Sequence, residues 1–158
     1  MLIALLPVAA QTGWKEYAYE SDRFAMSAPQ EPALNKRQID TKVGPIELRS
    51  YSVTDGDSAL FVGVADYGSH MDNQDSKTVL QGAKEGALKN SNSTLISEKE
   101  ITRQGYPGLA FETESEKFHF SARIYLVGSR LYQSVAVFPR ETSYADTTRF
   151  HESLRFLR

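Results

Sequence analysis

Apolar and polar residues alternate with a period of two along most of the chain, and two stretches break that rhythm with helical spacing. Period two marks strands whose side chains point to opposite faces in turn, and a period near 3.6 marks a helix with one apolar stripe. Lys15–Tyr19 and Phe24–Ala28 read as short strands joined at Ser21-Asp22-Arg23, after which Pro29 and Pro32 interrupt the pattern. Leu34–Asp40 and Ile46–Val53 flank a hairpin signal at Val43-Gly44-Pro45, and a turn at Thr54–Ser58 leads into the strongly apolar strand Ala59–Tyr67. Ser76–Asn90 reads as a helix with Val79, Leu80, Ala83, Ala87 and Leu88 on one face and Asp75 or Ser76 as its cap. Gly82 and Gly86 weaken it and are expected to allow close packing on a sheet. Four further strands follow, Leu95–Gln104, Leu109–Glu114, Lys117–Val127 and Leu131–Phe138. Their turns are expected at Gly105-Tyr106-Pro107-Gly108, Ser115-Glu116 and Gly128-Ser129. Ser143–Ser153 reads as a second helix, and Phe156 belongs to a short last strand. Strands, helix, strands, helix predicts an α+β domain with a mainly antiparallel sheet and two helices.

Register follows from the turns. A two-residue turn at Gly128-Ser129 sets Leu126 opposite Leu131, Ala122 opposite Val135 and Phe120 opposite Val137, which makes one apolar face. A two-residue turn at Ser115-Glu116 adds Phe111 to that face. Phe111, Phe120, Ile124, Leu126, Val135 and Val137 are therefore the expected core. The opposite face carries Glu112, His119, Arg123, Tyr125 and Tyr132, with Glu112 directly across from His119 and Tyr125 across from Tyr132. A facing carboxylate suits a histidine to acid–base work, whereas tyrosine and arginine together suit a recognition surface. These five are the candidate binding residues if the face is open to solvent; the alternative is that the N-terminal strands or a helix cover them, in which case this face does not bind.

Composition narrows the function. The chain has 158 residues, 41% apolar and 24% charged, which is one globular domain able to bury a core of its own. Its 18 basic and 20 acidic residues give a net charge of −2, which offers nothing to nucleic acid. Having no cysteine, the chain can form neither disulfide nor thiolate chemistry. Gly-x-Ser-x-Gly and phosphate-loop motifs are absent, and the histidines His70, His119 and His151 stand far apart, so no catalytic residue, metal or cofactor is assigned. Asp66, His70, Asp72 and Asp75 form the most carboxylate-rich stretch and read as a loop with helix-capping acids. Leu2–Ala10 is apolar, too short to span a bilayer, and ends in small residues. Residues 1–10 are read as the remnant of a signal peptide and residues 11–158 as the domain, exported to the periplasm or outside a bacterial cell.

Several features together resemble a known group. They are Trp14 ahead of the first strand, Phe24…Pro29…Pro32, the Val43-Gly44-Pro45 turn, Asp66-Tyr67 and Gly105-Tyr106-Pro107-Gly108. To these are added Arg123-Ile124-Tyr125-Leu126-Val127 and Arg130-Leu131-Tyr132. The group is one of small uncharacterised exported bacterial proteins whose fold is similar to the PsbP-like class. That class includes photosystem assembly factors and a Ran-binding nuclear-transport protein. The resemblance spans nearly all of residues 11–158 and rests on core and turn positions. It implies a PsbP-like α+β fold and non-enzymatic protein binding, and it transfers no functional residue. The expected function is thus an exported interaction domain with a protein partner. The alternatives are a small-molecule carrier with a pocket between helix and sheet, and a hydrolase using His119 or His70.

Overall fold

A computed structural model describes residues 13–41 and 44–158. The expected export segment and Val43 of the expected hairpin lie outside these residues. The elements in chain order are β1 (Lys15–Tyr19), β2 (Phe24–Ala28), β3 (Ala33–Thr41), β4 (Gly44–Asp55), β5 (Ser58–Asp66), α1 (Ser76–Ser91), β6 (Thr94–Arg103), β7 (Tyr106–Glu114), β8 (Phe118–Val127), β9 (Arg130–Pro139), α2 (Thr147–Ser153) and β10 (Arg155–Phe156). Seven strands form one antiparallel sheet in the order β3-β4-β5-β9-β8-β7-β6, and β1-β2-β10 form a second, smaller sheet. The α+β class is as the pattern predicted.

The large sheet carries a packed layer on each face. On one, α1 packs through Leu80 onto Leu109, Phe111, Ile124, Leu126, Leu131 and Val135. Lys84 of α1, itself buried, reaches Glu98 of β6 at 2.9 Å. On the other face the small sheet and α2 bring Phe24, Met26, Phe150, Leu154 and Phe156 onto Tyr51, Leu60, Val62, Tyr125 and Tyr132. One helix about 10 Å wide cannot cover seven strands spaced about 4.8 Å apart. Phe120 and Val137, expected in the core, accordingly remain half-buried.

The β8–β9 register is as predicted, with Ala122 opposite Val135 and Tyr125 opposite Tyr132. Gly128 holds φ at 61° and Ser129 has no positive φ, the pattern of a type II′ turn. Three turns differ from expectation. The β6–β7 turn is Gln104-Gly105, both with positive φ, so Tyr106, Pro107 and Gly108 already belong to β7. A Cβ on Gly108 would lie 2.5 Å from the Tyr125 ring and 2.6 Å from the Ile124 carbonyl, so close packing and not a turn requires glycine there. The β7–β8 turn is two residues longer than predicted. The Ser115 amide donates to the Phe118 carbonyl at 2.8 Å, and Ser115 Oγ accepts from the Phe118 amide at 3.1 Å. Glu112 therefore stands opposite Ser121, and Glu114 opposite His119. A slip of two preserves the faces, because side chains alternate with period two. Around β1–β2, Glu20–Asp22 form a 3-10 turn closed by Arg23 at φ 54°. On α1, a Cβ at Gly82 or Gly86 would meet nothing within 4 Å, so these glycines are not packing spacers. Finally, α2 spans Thr147–Ser153 and not Ser143–Ser153, since only Phe150 and His151 of this segment are buried to anchor a helical face.

Candidate functional site

The five residues singled out on one face of β7–β9 do share that face, but the structure splits them by depth. Tyr125 and Tyr132 are each 1% exposed, sealed under the small sheet. Tyr132 donates its hydroxyl to the backbone carbonyl of Asp22 at 2.7 Å, and Phe156 packs against both rings. The expected open Tyr–Arg recognition surface is corrected accordingly: its tyrosines are core. The sequence pattern assigns a face but cannot say that a second sheet lies on it.

Glu112, His119 and Arg123 stay nearer the surface. His119 Nε2 and Glu112 Oε2 are 2.6 Å apart, a diagonal contact and not the directly opposed pair expected from the shorter turn. His119 also lies 3.6 Å from Glu114 through Nδ1 and stacks on Phe138 with centroids 4.8 Å apart. Arg123 turns away to Glu152 of α2 at 2.8 Å, where Arg103 pairs with the same carboxylate at 3.0 Å.

Beneath His119 runs a polar chain that the sequence reading missed. Ser121 donates to Glu112 Oε1 at 2.8 Å, Ser121 Oγ lies 3.0 Å from His151 Nε2, and Ser134 Oγ lies 2.8 Å from His151 Nδ1. Proton counting fixes the directions. Ser121 spends its one proton on the carboxylate, so it accepts from Nε2–H of a neutral His151, and Nδ1 accepts from Ser134. The donors all run toward Glu112. Hairpin parity alone puts Ser121 and Ser134 on the Glu112 face, but nothing in the sequence brings His151 of α2 to them. Burial, helped by the nearby Arg123 and Arg103 charges against the opposing Glu152, pushes His151 down to about 3. Serine beside histidine suggests a nucleophile and base, yet Ser134 is 0% exposed and His151 2% exposed. A nucleophilic serine needs an exposed Oγ.

The sign of the resulting pH dependence is fixed. The folded value lies below the ordinary histidine value near 6.5, so the unfolded chain takes up more protons as pH falls. The stability held by neutral His151 is full above about pH 7 and is lost progressively below 6.5. Lowering pH from 7.5 to 5 should remove about 2 kcal/mol, before most carboxylates titrate. Urea midpoints at the two pH values, for the wild type and His151→Gln, check this. An equal pH loss in both proteins would show that His151 does not set it.

Two of the other candidate acids, Asp66 and Asp75, have structural partners. Asp66 accepts from the Gly68 amide and Ser129 Oγ, both at 2.9 Å, and Asp75 caps α1 by accepting from the Thr78 amide at 3.2 Å. His70 lies in a 3-10 turn after Tyr67. Among the described residues, no group of three or more His, Cys, Asp or Glu is placed to hold a metal ion. At the small sheet's turn, Asp22 takes Arg49 through Nε at 2.9 and 3.0 Å and also the Tyr51 hydroxyl. Burial raises the Asp22 carboxyl, but these hydrogen bonds and the charges of Arg49 and Arg130 outweigh it and hold the group below its usual range.

One open groove of about 640 Å³ lies between the first turns of α1 and the β6–β7 hairpin, lined by residues that include Lys77, Leu80, Gln81, Thr102, Pro107 and Leu109. Lys77 and Glu100 pair across its rim at 3.3 Å. Its lining contains neither Tyr nor Phe.

Comparison with solved structures places this architecture. The fold is PsbP-like: the chain is similar to the cyanobacterial PsbP (CyanoP) of Synechocystis, with a TM-score of 0.60, 13% identity and 96% of each chain covered. At that identity the likeness is one of fold. A Pseudomonas aeruginosa protein of unknown function, described as a putative regulator, matches with a TM-score of 0.41, 10% identity and 88% of this chain and 89% of that one covered. A Bacteroides thetaiotaomicron structure matches with a TM-score of 0.39, 12% identity and 86% of this chain and 46% of that one covered. No protein-family model and no curated protein matches the chain. Among the described residues, no helix is long and apolar enough to cross a membrane.

Proposed function

We propose that this chain is a non-enzymatic binding domain, exported from a bacterial cell, that engages a protein partner. The observation that carries this reading is the division between sealed and open polar groups. The serine–histidine chain with a catalytic composition has no exposed serine, whereas the α1–β6–β7 groove is open to solvent. A segment of a partner laid in that groove would meet apolar Leu80, Pro107 and Leu109 between polar Gln81 and Thr102. That mixture is the usual one of an apolar site with a few placed polar groups. The apolar run ahead of Gln11 and its small-residue end support export.

Crosslinking capture from an extracytoplasmic extract, with the wild type and two variants, tests the reading. Thr102→Trp fills the groove from an exposed position and should abolish capture of the wild type's specific partner, while His119→Ala should leave it unchanged. Equal capture by Thr102→Trp would remove the groove from the reading. Hydrolysis of an ester or peptide substrate that is lost in His119→Ala would replace it with an enzyme. The carrier alternative predicts a small molecule retained by the wild type, and not by Thr102→Trp, in native mass spectrometry.

A further inference from the structure

The two edges of the large sheet are not alike. Edge strands expose unpaired backbone groups and invite another strand unless charge or irregularity blocks it. In a two-fold antiparallel pair of identical strands, the axis stands normal to the sheet, so each residue keeps its face and meets a residue of the same parity. On β6, registers centred on Glu98, Lys99 or Glu100 each set like charges together, and a bulge between Leu95 and Ser97 breaks the ladder. This edge is blocked against its own copy.

β3 is the opposite case. Ala33–Gln38 are exposed, and no strand among the described residues pairs with its outer edge. The β3–β4 hairpin also reaches beyond the sheet, because β5 pairs with β4 only over Leu48–Asp55. Centring a two-fold pair on Gln38 sets Lys36 opposite Asp40 of the second copy, twice, with Gln38 facing Gln38 and Arg37 facing Ile39. Facing Cβ atoms about 5 Å apart bring such side chains within ion-pair reach. Registers centred on Lys36 or Arg37 set like charges together, and one centred on Ile39 forms no ion pair. Within one chain, neither Lys36 nor Asp40 forms an ion pair among the described residues, whereas charges of β6, β7, α1 and α2 do. We propose that β3 is a self-association edge. Two copies join it antiparallel about Gln38, with reciprocal Lys36–Asp40 pairs, into one continuous sheet. So few paired residues make a small interface of the weak, reversible class, below about 1,200 Å².

Charge exchange tests this on the full chain by sedimentation equilibrium at low salt. The wild type should form dimers as concentration rises. Lys36→Glu and Asp40→Lys should each weaken association about tenfold or more, because each turns two attractive pairs into repulsive ones. The double variant Lys36→Glu/Asp40→Lys restores both pairs in reverse and should recover association to within about threefold of the wild type. Lys99→Glu on the blocked edge should change nothing. A wild type still monomeric at about 1 mM, where even millimolar affinity would show, overturns the proposal. So does a dimer insensitive to the single charge changes, or one not recovered by the double change. Hydrogen exchange distinguishes other occupants. Protection of residues 35–40 that grows with concentration supports the dimer. Because β3 already pairs with β4, only the amides of residues 35–40 that point away from β4 report on this edge. Their protection independent of concentration would place another segment of the same chain there and overturn the proposal, as would protection that appears only with an added foreign protein.

Discussion

Tyr132→Ala is expected to destabilise the chain by about 3–5 kcal/mol, the range for removing a large, fully buried aromatic side chain. The ring is 1% exposed between Phe24, 6.0 Å away, and Phe156, 4.8 Å away, so truncation opens a cavity between the two sheets. It also removes the hydroxyl that satisfies the Asp22 carbonyl. At roughly 2–4 °C per kcal/mol for a chain of this size, the melting temperature should fall by about 10 °C. Tyr132→Phe keeps the ring and loses one hydrogen bond, so it should cost only about 1–2 kcal/mol. Thermal denaturation of the three proteins checks the order. A truncation that leaves the midpoint unmoved would mean that the small sheet does not cover this face.

Asp22→Ala should cost a similar amount, about 3–5 kcal/mol, for a different reason. Asp22 is buried and Arg49 partly so, and removing the carboxylate leaves the guanidinium without its main partner. Among the described residues Arg49 would keep only Glu47, at 3.0 Å, and the Tyr51 hydroxyl would lose its acceptor. The 3-10 turn between β1 and β2 would then lose its tie to β4. Because the Asp22 carboxyl is held below its usual value, its contribution is complete at neutral pH and is lost as pH falls through the folded value. The variant should therefore show a shallower loss of stability than the wild type in strong acid. Urea midpoints at pH 7 and pH 3 measure both effects. If Asp22→Ala matched the wild type at pH 7, Arg49 would have to find solvent or another partner, and the buried pair would not hold the small sheet.

Local pattern was enough for the elements and for which face each residue occupies. Period two set the strands, the Val79–Leu88 stripe set α1, and Gly128 in its turn fixed β8 against β9, because a register slip of one residue would expose every apolar side chain. The same parity put Glu112, His119, Arg123, Tyr125 and Tyr132 together, and it survived the longer Ser115–Phe118 turn because that error was two residues. Only tertiary structure decided what lies on each face. β1, β2, β10 and α2 are short and come from the two ends of the chain, so no spacing in the sequence announces that they close over β4, β5, β9 and β8. Their docking makes Tyr125 and Tyr132 core, and brings His151 between Ser121 and Ser134. It also seals a serine–histidine pair that would otherwise read as chemistry. Periodicity records which side chains share a surface, while burial depends on contacts between residues far apart in sequence, such as Asp22 with Tyr132.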